Sequence, residues 1–206
     1  MNRVEIKTRA KEIIKGRLWD FWKGYLALSL ILYIIEFACG FVVGIFDLGE
    51  FGASLASVIA SLIIAPISMG FIYYSMRYAR GESFELNDIF RYKKQWRATF
   101  LLTFFISLFT TLWTFLLIIP GIIAALSYSM AQFIYCDHEL EPLGCIRASK
   151  EMMDGHKMDY FVFSLSFMGW VFLGILTLGL LYIWLIPYMM TAEVLYYDEL
   201  KKLESN

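Results

Sequence analysis

Two uninterrupted apolar runs decide what this chain can fold into. Ala98 to Tyr135 is 38 residues without a charged side chain, and Tyr160 to Tyr197 is another 38 interrupted only by Glu193. As one straight helix, either run would span ~57 Å at ~1.5 Å per residue, against a hydrocarbon core of ~30 Å. Each must therefore fold back on itself as a helical hairpin. Neither run alternates as barrel strands do, and lipid admits only helices or closed barrels, because every backbone polar group must find its partner within the protein.

A third hairpin precedes them. Phe21 to Phe46 is apolar except for Lys23 and Glu36, Asp47 to Phe51 reads as a short acidic loop, and Gly52 to Met76 is apolar again. The expected fold is thus an all-α integral membrane protein with six transmembrane helices. Composition agrees, since 59% of the 206 residues are hydrophobic and 18% charged. The first apolar segment is too long for a cleavable signal peptide, and a charged helix of about 20 residues precedes it.

Charge placement orients the chain. All 18 Lys and Arg fall before or at the start of helix 1, between helices 2 and 3, between helices 4 and 5, or at the C-terminus. None is left for the three opposite loops, so the positive-inside rule puts both termini in the cytoplasm. Cys136 and Cys145 then face a reducing compartment, and no disulfide is expected.

The stretch KEMMDGHKMDYF, Lys150 to Phe161, has the look of a reaction centre, with a histidine among carboxylates and lysines. It is matched by KEIIKGRLWDFW, Lys11 to Trp22, in which Arg17 stands where His156 stands later. An architectural junction recurs more readily than a reactive residue does. Before each glycine lies an amphipathic helix, its apolar face Ile6, Ala10, Ile13, Ile14 and Leu18 in the first case, opposite Lys7, Lys11 and Lys15. Such helices are expected in the headgroup plane, lysines toward anionic lipid. Gly16 and Gly155, followed by Arg17 and by His156 and Lys157, would turn the chain into the bilayer, with aromatic residues next to mark the interface.

Pro66, Pro120 and Pro187 sit in matching contexts: PISMGFIYYSM and PGIIAALSYSM both end in Tyr-Ser-Met, and TLWTFLLIIP aligns with TLGLLYIWLIP. Three tandem units follow, about 1–77, 78–136 and 137–200, each an interfacial helix, an outward helix and a proline-containing return helix. The prolines are expected to kink helices 2, 4 and 6 and to free the carbonyls of Leu62, Leu116 and Ile183. The middle unit, RYKKQWRATF, has bases and aromatics but no glycine.

These motifs carry a resemblance. RAKEIIKG, PGIIAALSYSMAQFIYCD, ASKEMMDGHKMDYFVFSLSFMGW and WLIPYMMTAEVLYYDEL together resemble the domain-of-unknown-function family nine-seven-five of bacterial integral membrane proteins, over nearly the whole chain. Asp154 departs from the lysine the family commonly shows before the glycine. The resemblance implies a multi-pass protein of the bacterial plasma membrane and no particular activity. The chain is also distantly similar to the membrane domains fused to some glycerophosphodiester phosphodiesterases, which points toward lipids.

Two acids stand out. Glu36 lies near the middle of helix 1 with no Lys or Arg in a membrane segment to pair with it, where a carboxylate costs about 3 kcal/mol. It is either a protonated structural group bonded to a nearby Ser or Thr, or a ligand or proton site. Glu193 lies nearer the cytoplasmic end, within reach of headgroups or bases. Small residues, Gly40 and Gly44 on helix 1 and Gly52, Ala56 and Ala60 on helix 2, suggest close helix packing. Cys136, His138, Cys145 and His156 match no zinc spacing, and no metal, cofactor or nucleic-acid partner is expected. Hydrolase, zincin, phosphate-loop and dinucleotide signatures are missing, so no catalytic residue is assigned and a non-enzyme is expected. One functional reading is a binder or mover of a small amphipathic or lipid-like ligand between the hairpins. The other is an accessory protein that organises partners or the bilayer. A polar cavity reaching Glu36 would favour the first and a solid interior the second.

Overall fold

The computed structural model describes residues 2–204, which contain no strand. In chain order they form α1 (Arg3–Ile14), α2 (Leu18–Ile45), α3 (Gly49–Arg80), two short 3-10 helices (Leu86–Phe90 and Lys93–Gln95), α4 (Trp96–Leu116), α5 (Ile118–Tyr128), α6 (Ala131–His138), α7 (Pro142–Met152), α8 (Lys157–Leu176) and α9 (Tyr182–Glu204). Five stretches are long and apolar enough to cross a membrane: Leu18–Ile45, Gly49–Arg80, Leu86–Leu116, Ile118–His138 and Lys157–Leu176. The last expected crossing, α9, is of another kind. It turns charged from Asp198 onward and packs against α1, α2, α3, α7 and α8 as a central pillar.

The three hairpins form where the apolar runs require them. α2 pairs with α3, α4 with α5, and α8 with α9. Leu117 alone, extended at φ −162° and ψ 144°, reverses the chain between α4 and α5. Pro66 and Pro187 lie inside α3 and α9. Pro120 does not occupy the equivalent place: it is the third residue of α5, where its missing N–H has no helical partner to lose, so it starts a helix rather than kinking one. The carbonyl that Pro187 frees, Ile183, accepts the Trp22 indole N–H at 2.8 Å, so the interfacial tryptophan closes the gap in α9.

The junction glycines behave alike. Gly16 has φ +82° and Gly155 φ +74°, and each is followed two residues later by the start of a long apolar helix. Between α3 and α4 the chain has two 3-10 helices in place of an amphipathic α-helix. Glu85 and Asp88 there form a reciprocal capping box, and Gly81, left-handed at φ +73°, ends α3 just before them.

α1 packs along the surface of α9. It runs antiparallel to α9, with Arg9 4.0 Å from Glu199 and Lys11 5.6 Å from the centre of the Tyr188 ring. Its apolar face, Ile6, Ala10 and Ile14, is buried. Lys7 stands 4.8 Å over Phe167 and donates to the Ser166 hydroxyl, while Arg3 pairs with Asp159 at 3.3 Å. Much of the α1 basic face is therefore engaged by α8 and α9.

Burial is concentrated at the charged end of the hairpins. In α3 the buried run lies almost wholly from Ala65 onward, and in α2 it is confined to Phe21, Gly24 and Leu28. Phe21 meets Phe71 and Tyr78 edge-on, with ring centres 5.8 and 5.6 Å apart. At the other end, Phe37, Phe41, Leu55, Phe115, Leu116 and Leu178 are exposed, a surface suited to lipid tails. The α5–α6 break at Ser129 and Met130 is closed from α7. The buried Ser149 hydroxyl donates to the Ser127 carbonyl at 2.8 Å and accepts the Met130 N–H at 3.2 Å. Both backbone groups would otherwise go unpaired away from water.

Candidate functional site

A cleft of about 440 Å³ opens between α2 and α3, with Thr103 of α4 and Gln132 of α6 at its edge. Its α2 wall is Glu36, Cys39, Gly40 and Val43, which share one helix face at spacings of three and four. The α3 wall is Ala53, Ala56, Ser57, Ala60, Ser61 and Ile64, with Ser68 deeper in. The small side chains line this gap instead of closing it. A Cβ built on Gly40 or Gly44 meets nothing within 4 Å, so the close packing expected of those glycines is not what they provide.

Glu36 makes no hydrogen bond and no ion pair to any described residue. The bonded structural carboxyl that would account for its presence is thus not formed. The hydroxyls around it are already used as donors within their own helices. Ser57 donates to the Ala53 carbonyl at 3.0 Å, Ser61 to Val58 at 2.7 Å and Thr103 to Thr99 at 3.1 Å. Such hydroxyls still accept. The cleft therefore offers a carboxylate and hydroxyl acceptors, together with the Ser68 hydroxyl and the Gln132 amide, which can also donate, and no Lys or Arg lines it.

Glu193 does not join this site. It lies partly buried on α9, with no hydrogen bond or salt bridge to a described residue. Pro66 is buried in α3 below the Ile64–Ser68 end of the cleft, whereas Pro120 and Pro187 belong to the other hairpins. His156 caps α8 and Lys157 is its first residue. The cysteines are all free thiols. Cys136 contacts the Met69 carbonyl at 3.7 Å and Cys145 the Leu140 carbonyl at 3.5 Å. Burial pushes the Cys145 thiol up to about 11, which keeps it protonated and unreactive. No group of three His, Cys, Asp or Glu side chains suited to a metal forms among the described residues.

One polar cluster was not anticipated. Arg80 at the end of α3 grips Asp137 of α6 through two bonds of 2.8 and 3.0 Å, and reaches Asp198 of α9 at 2.6 Å. Lys201 and the Tyr197 hydroxyl complete Asp137 at 2.9 and 3.1 Å. Forked guanidinium–carboxylate pairing of this kind fixes geometry as well as energy. The cluster ties the charged ends of α3, α6 and α9 together. The available signal was the position of Arg80 and Asp137, each at the edge of a long apolar run.

The sequence model of the family described as protein of unknown function (DUF975) matches residues 1–127 and 114–204. No curated protein and no solved structure matches the chain.

Proposed function

The chain belongs to the DUF975 family of proteins of unknown function, and from that premise, which brings no activity with it, we propose that it is a non-enzymatic multi-pass membrane protein that binds a small amphipathic or lipid-like ligand in the Glu36 cleft. The observation that carries this reading is a carboxylate in an apolar helix with no partner among the described residues, facing an open gap that no Lys or Arg lines. Keeping such a group costs about 3 kcal/mol at mid-bilayer, and a ligand that donates hydrogen bonds or carries positive charge offsets it. The apolar walls, Val43 and Ile64, suit an aliphatic portion of the same molecule. A purely accessory protein calls for a solid interior at this place, and the open cleft favours the ligand.

The orientation that goes with this reading has both termini and the basic junctions in the cytoplasm of a bacterial cell, with α9 completing a sixth membrane segment. The charge distribution supports it. An introduced cysteine at Gly49 should label from outside the cell, and labelling from the cytoplasm alone would reverse it. The three-unit organisation is supported by the matching geometry of Gly16 and Gly155.

The binding test compares the full chain, extracted in mild detergent, with Glu36→Gln and Glu36→Leu by native mass spectrometry. A co-purifying adduct retained by wild type and lost from Glu36→Leu, at unchanged melting temperature, is expected. The same adduct in all three proteins, or none in any, would overturn the reading.

A further inference from the structure

A second cavity lies on another hairpin and has the opposite polarity. A groove of about 210 Å³ runs beside α5, lined by Trp113, Pro120, Ile123, Ala124 and Tyr128, and ends at Lys150 and Lys157. Those two lysines also line an adjoining surface cleft of about 360 Å³, together with Arg147, Glu151 and Asp154. The two spaces therefore form one site, apolar along its length and cationic at its mouth. From this geometry we propose that the α5 groove binds an anionic phospholipid, its phosphate held by Lys150 and Lys157 and an acyl chain laid along α5.

Three observations favour that occupant. The first is free charge. None of Arg147, Lys150 and Lys157 has a carboxylate within ion-pair distance among the described residues, although Glu151 and Asp154 stand in the same cleft. Neither acid lines the apolar groove, so its mouth presents ammonium groups alone. The second is shape. From Pro120 to Tyr128 the groove follows α5 for ~12 Å, long enough for part of an acyl chain. The third is contrast with the other basic helix. On α1, Lys7 and Lys11 stand over the rings of Phe167 and Tyr188, whereas Lys150 on α7 is exposed and unengaged. Lysines on flexible stems at the edge of an apolar surface set their charges at headgroup level, where anionic lipid is the partner available to them. The site shares no residue with the Glu36 cleft and stands independently of the function proposed there.

The test uses the full chain in mild non-ionic detergent, with phosphatidylglycerol, phosphatidylcholine and inorganic phosphate as probes, read by native mass spectrometry and thermal melting. Wild type should retain phosphatidylglycerol and gain thermal stability from it, more than from phosphatidylcholine or from inorganic phosphate. The double variant Lys150→Gln with Lys157→Gln should bind phosphatidylglycerol at least about tenfold more weakly. Ile123→Trp, which fills the groove from an exposed position, should lose the lipid too. If the double variant fails to fold, Lys150→Gln alone carries the comparison, because that side chain is exposed. Equal retention of phosphatidylglycerol by the lysine variants, equal binding of phosphatidylcholine, or stabilisation by inorganic phosphate as strong as by the lipid would each overturn the proposal.

Discussion

The two ends of the hairpins obey different rules. At the charged end, α9 is enclosed by five other helices, aromatic rings interlock, and Arg80 binds two aspartates from two helices. At the apolar end, α2 and α3 leave a cleft, glycines face open space, and large side chains point outward. In water the second arrangement would collapse, since exposed apolar surface drives burial. Lipid tails remove that drive, so helices there are held apart or together only by packing and hydrogen bonds. Specific contacts accumulate where the chain meets headgroups and water. The gap that results beyond them is where the Glu36 carboxylate stays without a partner among the described residues.

This contrast sets the order of expected effects. The largest belongs to Arg80. Arg80→Gln leaves Asp137 and Asp198 without their shared cation and should cost about 3 kcal/mol, the low end for a buried network, because the Arg80 side chain is 24% exposed. A lowered melting temperature of the detergent-solubilised protein reports it. An unchanged melting temperature would show that the charged end is held by apolar packing alone.

Next comes a pair of glycines, one from each end. At Gly70 a built Cβ falls onto the backbone carbonyl of Ile89, whereas at Gly40 it meets nothing. Gly70→Ala should destabilise by about 1–3 kcal/mol and Gly40→Ala by less than about 0.5 kcal/mol. Equal losses would erase the distinction between packed and open ends.

A further pair of effects concerns the junction. Gly155→Val places a β-branched residue at φ +74° and should cost roughly 1–2 kcal/mol through backbone strain, since nothing crowds the site. His156→Arg, which copies the first junction, should leave folding and ligand retention as they are. Loss of ligand in a well-folded His156→Arg protein would make this junction a binding element after all.

What was legible in the sequence follows the same division. Long apolar runs, the hairpins they force, and the glycine turns at Gly16 and Gly155 are local properties, written in consecutive residues. Glu36 was legible because a lone charge in an apolar run is conspicuous without knowing its neighbours. Pro120 misled because it shares its sequence context with Pro66 and Pro187, yet Leu117 ends the preceding helix just before it. Gly40 and Gly44 misled because glycine allows close approach without compelling it.

The sequence by itself determined that this chain is all-helical, too apolar for water and folded as hairpins. Its stretches of 38 uncharged or nearly uncharged residues leave no other way to satisfy the backbone in lipid. Only the tertiary structure decided that Arg80 meets aspartates 57 and 118 residues away, that Ser149 mends a helix break 19 and 22 residues back, and that α9 is a buried pillar. It also decided that one lysine face meets aromatic rings while Lys150 and Lys157 stay free beside a groove. Periodicity and composition report which face of a helix is apolar. Which partner covers that face, and where none does, depends on how the helices pack across the chain.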